Sequence, residues 1–339
     1  ETGKITAEWA DVDLAPLRRW LPDDLSLAGR LAGRVTGNIL TGERLDLTGK
    51  TSLARGKIRW QRGNEAFDAT LPLAELEWAW QGALRGPASG GDAGRLVLAG
   101  RTGGSGVLAL EGGRIVLEQV NLSLDANERG MHAGVELSPA GGGMVKGRFS
   151  SPRPAVLAVP GEGEVDLEWA GIDLSLIRPW LHRAVNLEGR LAGRATGKLL
   201  PEQRFEMKGD AELSGGKAGW LRPGGEMNTG LRSASLSWEW RGEALHGTAA
   251  LTLAERGQGR GSFQLPIPAR LPTTFDRKGP LQASLTGQVR EQGLLTALFP
   301  GFIQESRGEL TADLRVGGTR EGPKIEGMLK LDGAGAYLP

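Results

Sequence analysis

The side chains that could do chemistry are few, and their spacing suits no reaction. Cys is absent, which excludes thiolate nucleophiles, disulfides and cysteine metal sites. Of the three His residues, His132 and His246 fall at matching places in two alternating segments, which fits a strand His better than a base or ligand. Gly49-Lys50-Thr51 has the ending of a phosphate-cradling loop, but Arg44 stands where its first Gly must be. Gly257, Gly259 and Gly261 have the wrong spacing for a dinucleotide fingerprint, and Ser105 lacks the closing Gly of a nucleophile elbow. No His-Glu-x-x-His and no Asp-rich calcium loop occurs. The expectation is a protein that is not an enzyme, with no catalytic residue, no metal and no cofactor.

The elements that could position a site must therefore carry the function. The chain has 339 residues, with 41 Lys+Arg against 40 Asp+Glu. So even a balance excludes function through bulk cationic charge, and no nucleic-acid partner is expected. There are 54 Gly, more than twice the usual share of about 7%. There are ten Trp against one Tyr. The longest apolar run, Ala155 to Val159, is far short of the ~20 residues a membrane-spanning helix needs. Glu1-Thr2-Gly3 reads as an expression scar and Pro339 falls in mid-pattern, so a segment of something longer is expected.

The chain repeats itself. Shifted by 160 residues, about 30 of the 75 positions from 8 to 82 are identical, far more than unrelated sequence gives. Glu8-Trp9-Ala10 meets Glu168-Trp169-Ala170, and Gly29 to Arg34 meets Gly189 to Arg194. Residues 131–154 then match 245–268 at a spacing of 114, pairing His132 with His246 and Phe149 with Phe263. The two offsets differ by 46, which places an insert at about 84–130. The expected organisation is unit one at 4–160 with that insert, unit two at 161–278 and an incomplete third unit at 279–339.

Period-two alternation runs through every unit and calls for roughly twenty strands, with one short helix per unit. Asp13 and Asp173 are placed to cap the first two helices, with Leu14, Leu17 and Leu21, or Leu174, Ile177 and Leu181, along one side. Leu294 to Phe299 makes the third. Gly every 8–12 residues reads as a turn or bend signal for short strands. The expected fold is all-β: an elongated, curled, mostly antiparallel sheet that adds strands along one axis.

Alternation leaves one face that must leave water. If the curl is open, that face is a long apolar trough. Its expected lining is Trp9, Leu76, Trp78, Trp80, Val120, Leu122, Leu124, Val135, Leu137, Leu167, Trp169, Leu236, Trp238, Trp240, Leu251, Leu253, Leu310, Leu314, Val316, Leu329 and Leu331. If it is closed, the same residues are ordinary core. The Trp78/Trp80 and Trp238/Trp240 pairs serve either as packing anchors or as lining. Arg30, Arg34, Arg190 and Arg194 alternate outward, toward a solvated face.

Glu8–Gly37, Glu168–Gly197 and Gly308–Leu331 share a pattern: a short Asp-Leu helix or its replacement, a stop, Gly-x-Leu-x-Gly, and an apolar alternation. Together with Gly317 to Leu331, where Pro323, Ile325, Gly327, Leu329 and Leu331 mark the beat, it resembles the TamB / AsmA-like family of bacterial envelope proteins. The resemblance implies a periplasmic segment in a Gram-negative bacterium, held to the inner membrane by an N-terminal anchor outside this chain. It implies a hydrophobic groove carrying phospholipid toward the outer membrane, and a barrel partner of the TamA or BamA type. The physics agrees: each exposed methylene costs about 0.8 kcal/mol, so a sixteen-carbon tail crossing water unsheltered would cost roughly 13 kcal/mol. Three other readings stay open: a passive envelope scaffold with a dry core, a chaperone-like guide for outer-membrane strands, and an adhesin or polysaccharide-active solenoid.

Overall fold

The structure, a computed structural model, describes residues 3–16, 24–41, 44–62, 65–83, 94–110, 113–152, 161–180, 185–222, 225–254, 257–270, 279–291, 305–319 and 322–337. Among these the chain is all-β, with eighteen strands. They fall into two compact units, Glu1–Leu167 and Glu168–Pro339. No helix among the described residues is long and apolar enough to cross a membrane.

The first unit holds β1 (Gly3–Asp13), β2 (Leu25–Leu40), β3 (Arg44–Arg62), β4 (Glu65–Ala83), β5 (Arg95–Thr102), β6 (Gly106–Leu110), β7 (Gly113–Asn127), β8 (Gly130–Pro139) and β9 (Met144–Ser151). The boundary between units falls within β10 (Gly163–Asp173). The second unit continues with β11 (Val185–Leu200), β12 (Arg204–Arg222), β13 (Gly225–Arg241), β14 (Ala244–Leu253), β15 (Gly257–Leu265), β16 (Gln282–Glu291), β17 (Glu305–Gly318) and β18 (Pro323–Tyr337). In each unit, strands consecutive in sequence pair antiparallel, except β5 and β6, which lie end to end.

The strands are longer than the glycine spacing suggests. β3, β4 and β12 each run 19 residues, and Gly49 and Gly209 lie well inside them. Gly is therefore more than the turn or bend signal of short strands: Gly49 and Gly209 sit in mid-strand, where the neighbouring strand presents a ring.

A few do bend the sheet. Gly29 in β2, Gly189 in β11 and Gly308 in β17 hold φ of 141°, 141° and 136°, a region barred to side chains with a Cβ. At each, the register slips by one residue. The surplus residue on the partner strand is left-handed: Arg55 (φ 53°), Gly215 (φ 59°) and Gly333 (φ 65°). Two residues facing one make a bulge, which bends the strand and sharpens its twist. A second bulge lies in β1, where the register slips between Trp9 and Val12 and Asp11 has φ 56°; its counterpart in β10 is Gly171, φ 64°.

Arg30 and Arg190 hold these bulges. Arg30 Nη1 donates to the Asp11 carbonyl at 3.1 Å and to its carboxylate at 3.0 Å. Arg190 Nη1 donates to the Gly171 carbonyl at 3.3 Å. Both side chains are exposed, as expected, but each is also a clamp.

The chain then turns off the sheet. The Asp13 carboxylate accepts the Ala15 N–H at 2.9 Å, and Asp173 accepts that of Ser175 at 2.8 Å. The second cap opens a short 3-10 turn, Leu174–Trp180. Leu14 and Leu174 are buried, whereas Ile177 is 38% exposed rather than packed beside Leu174. Leu17, Leu21, Leu181 and the segment Leu294 to Phe299 lie outside the described residues.

The extra residues of the first unit build strands of the same sheet. β5 and β6 lie end to end between β4 and β7, broken at Gly103–Ser105. In the second unit Trp238 faces Gly247, which faces Phe263. In the first, Trp78 reaches Ala133 and Phe149 through two added residues, Leu98 and Leu124. The insert thus adds two rungs and keeps the phase.

Candidate functional site

Antiparallel register stacks directly opposed residues into columns across the strands, and alternate columns share a face. In the first unit one column runs Trp9, Gly33, Thr51, Leu76, Gly100, Leu122, Val135, Gly147. The next on that face runs Ala7, Val35, Gly49, Trp78, Leu98, Leu124, Ala133, Phe149. Trp80 opposes Leu96 in the column beyond, and Val120 opposes Leu137 on the other side. Leu167 approaches the Gly147 end.

The second unit does the same. Gly193, Ala211, Leu236, Ala249, Gly261, Leu285, Leu314 and Gly327 form one column. Ala195, Gly209, Trp238, Gly247, Phe263, Ala283, Val316 and Ile325 form its neighbour. Leu251 leads across to Leu329, and Leu253 to Leu310 and Leu331. Trp169 lies over Gly193, and Trp240 opposes Met207. All the residues singled out by alternation thus stand on the apolar face of their unit.

That face is only partly covered. Of the residues singled out by alternation, Leu122, Leu251 and Leu329 are 47%, 38% and 46% exposed, Leu310 is 5% exposed and the rest are half-buried; in the same columns Leu285 and Ile325 are 45% and 69% exposed. Among the described residues just nine apolar side chains are fully buried, and Leu310 is the one that alternation had marked. The arrangement is a single layer with a greasy side, which antiparallel sheets permit.

The rings lie down on glycine. A Cβ on Gly33 would be 2.5 Å from the Trp9 ring, on Gly193 2.6 Å from Trp169, on Gly209 2.6 Å from Trp238 and on Gly163 2.5 Å from Phe149. Trp78 over Gly49 and Phe263 over Gly247 are closer still. The indole N–H groups are treated unequally. Trp78 donates to Thr51 Oγ1 at 3.1 Å, and Trp240 to the Ile267 carbonyl at 2.8 Å with its ring edge-on to Phe205. The Trp169 N–H is buried without an acceptor.

The opposite face is ionic. Glu8 pairs with Arg34 at 3.3 Å, Lys50 with Glu77 at 2.6 Å, Arg101 with Glu75 at 2.7 Å and Arg194 with Asp210 at 3.1 Å. Arg95 grips Asp125 with two hydrogen bonds, at 3.1 and 2.7 Å. The hydrogen bond from Lys50 holds Glu77 below the usual carboxylate range, and that from Arg95 does the same for Asp125. Exposed pairs of this kind, screened by water, contribute little to stability. They keep this side in water and fix which side is greasy.

Among the described residues no catalytic constellation is brought together on either face. His132 and His246 are exposed strand residues, His182 lies outside the described residues, and no metal-competent cluster of acids and His occurs among them. Alternation missed Leu96, Leu98, Phe149, Phe263 and Leu285, which share the apolar columns. The signal for the two Phe was their match at a spacing of 114.

No curated protein and no solved structure matches the chain. The family model described as TamB, N-terminal domain, matches residues 154–331, more than half of the sequence and nearly all of the second unit. The bulge glycines Gly189 and Gly308, the aromatic seats and the apolar columns from β11 to β17 all lie within it, and so the chain belongs to the TamB family of cell-envelope biogenesis proteins.

Proposed function

We propose that this chain is a periplasmic, non-enzymatic segment of a TamB-like protein, and that its apolar face shelters phospholipid acyl chains passing between the inner and outer membranes. The observation that carries the reading is the half-exposed apolar face backed by a face of ion pairs. A dry core would bury those side chains, and an inert spacer gains nothing from keeping them wet. Head groups stay in water, so the wall needs no charged site. The parent protein is anchored in the inner membrane and works with an outer-membrane barrel of the TamA or BamA type. Repeat units provide length.

The test is lipid extraction and mass spectrometry of the purified protein, with photo-crosslinking residues at Leu122 and at Glu77. Phospholipid is expected to co-purify and to crosslink at Leu122 but not at Glu77. Lipid-free protein would leave the scaffold reading. Crosslinks at Leu122 to unfolded outer-membrane strands in place of lipid would favour the chaperone-like guide.

A further inference from the structure

We propose that the ring-on-glycine pairs set the clearance above the apolar face, and so decide whether an acyl chain can lie along it. This rests on the lipid-bearing reading above. The six rings concerned, four Trp and two Phe, all stand in the two adjacent columns described for each unit or at their margin. A column runs across the strands, which is the direction a chain moving from strand to strand would take.

Backbone φ does not demand glycine at these seats, although at Gly33, Gly163, Gly193 and Gly209 an added Cβ would come under 3.0 Å from a backbone carbonyl as well as from the ring. At Gly49, by contrast, its three nearest neighbours are all atoms of the Trp78 ring. Gly33, Gly49, Gly163, Gly193, Gly209 and Gly247 have no positive φ, unlike the bulge glycines. Strand stability does not ask for it either, since glycine inside a strand weakens it. What the missing Cβ permits is close approach: the ring drops into the space the methyl would fill. A ring lying flush covers the sheet with about one van der Waals thickness, roughly 3.5–4 Å. A ring propped up by a Cβ projects further and dams the path. Covering backbone hydrogen bonds is the alternative service of such rings, and it predicts a loss of stability without a separate loss of lipid.

The experiment compares Gly49→Ala and Gly209→Ala with Gly317→Ala, whose Cβ would meet nothing within 4 Å. The probe is phosphatidylethanolamine carrying a fluorescent acyl chain; circular dichroism and melting report the sheet. Wild type and Gly317→Ala are expected to bind the probe. The two seat variants should keep their strand signal and bind about tenfold more weakly, the size of one methylene's discrimination in an apolar site. Gly49→Ala combined with Trp78→Leu should recover binding, because the obstructing ring is gone. Folded seat variants that bind like wild type would overturn the inference, and so would a double variant that stays weak. If Gly49→Ala does not fold, Trp78→Leu alone decides: binding at or above wild type supports the clearance role, and a tenfold loss refutes it. Wild type that ignores the probe sinks the lipid reading itself, a different failure from any of these.

Discussion

The bulges of the two units solve one geometric problem with different residues. In the second unit the left-handed bulge positions are Gly171, Gly215 and Gly333, which adopt that backbone freely. In the first they are Asp11 and Arg55, which do so under strain of the order of 1–2 kcal/mol. Asp11 recovers part of this through its carboxylate, which pairs with Arg30 at 3.0 Å. Gly171 offers Arg190 its carbonyl alone. A repeated fold therefore conserves the bend and the Arg clamp, while the residue at the bend is free to trade ease of backbone for a side-chain contact.

The largest expected effect breaks the feature common to both. Gly189→Ala puts a Cβ at φ 141° and 2.7 Å from Leu213 Cδ1. It should cost about 2–4 kcal/mol from combined strain and overpacking, read as a fall in the urea midpoint. A loss below 1 kcal/mol would show that the bulge is soft. Next come the exchanges between units. Gly215→Arg should destabilise by about 1–2 kcal/mol, and Arg55→Gly should gain up to about 1 kcal/mol after the entropy of the unfolded chain is counted. Equal and negligible shifts would erase the contrast.

A smaller effect concerns Trp78 and its counterpart Trp238. Thr51 accepts the Trp78 N–H, whereas Ala211 stands in the Thr51 position of the second unit. Trp78→Phe should cost about 1 kcal/mol more than Trp238→Phe by thermal melt, one net hydrogen bond. The smallest is a pH effect at the turn after β10. The Ser175 N–H holds Asp173 below the ordinary carboxylate range. Its contribution is present above the unfolded value of about 3.9 and disappears as the pH falls through the lower, folded one. Asp173→Asn should flatten the stability profile between pH 5 and 2; an unchanged slope would assign that slope to Asp125 and Glu77.

Much of this was legible in the residues themselves. Alternation such as Leu76-x-Trp78-x-Trp80 names a face because side-chain period is a property of a single strand. The shift of 160 found the bulge glycines, since Gly29 and Gly189 carry one geometric demand at one position in the repeat. Asp13 and Asp173 announced their caps. The ring seats were not visible: Gly49 and Trp78 are neighbours only through the β3–β4 register, which neither strand specifies alone. The mid-strand role of Gly was hidden for the same reason. The phase of the insert relative to the repeat was not visible either: Leu98 shows it only by opposing Trp78, and Leu124 by opposing Leu98.

That phase has a consequence for how such proteins change length. The insert crosses the sheet twice, once as the broken pair β5 and β6 and once as β7, so the chain returns heading the way it left. A single added crossing would reverse the direction of every later strand in the unit. Growth by duplication or insertion is therefore quantised in hairpins, and relatives of different length should differ by even numbers of crossings.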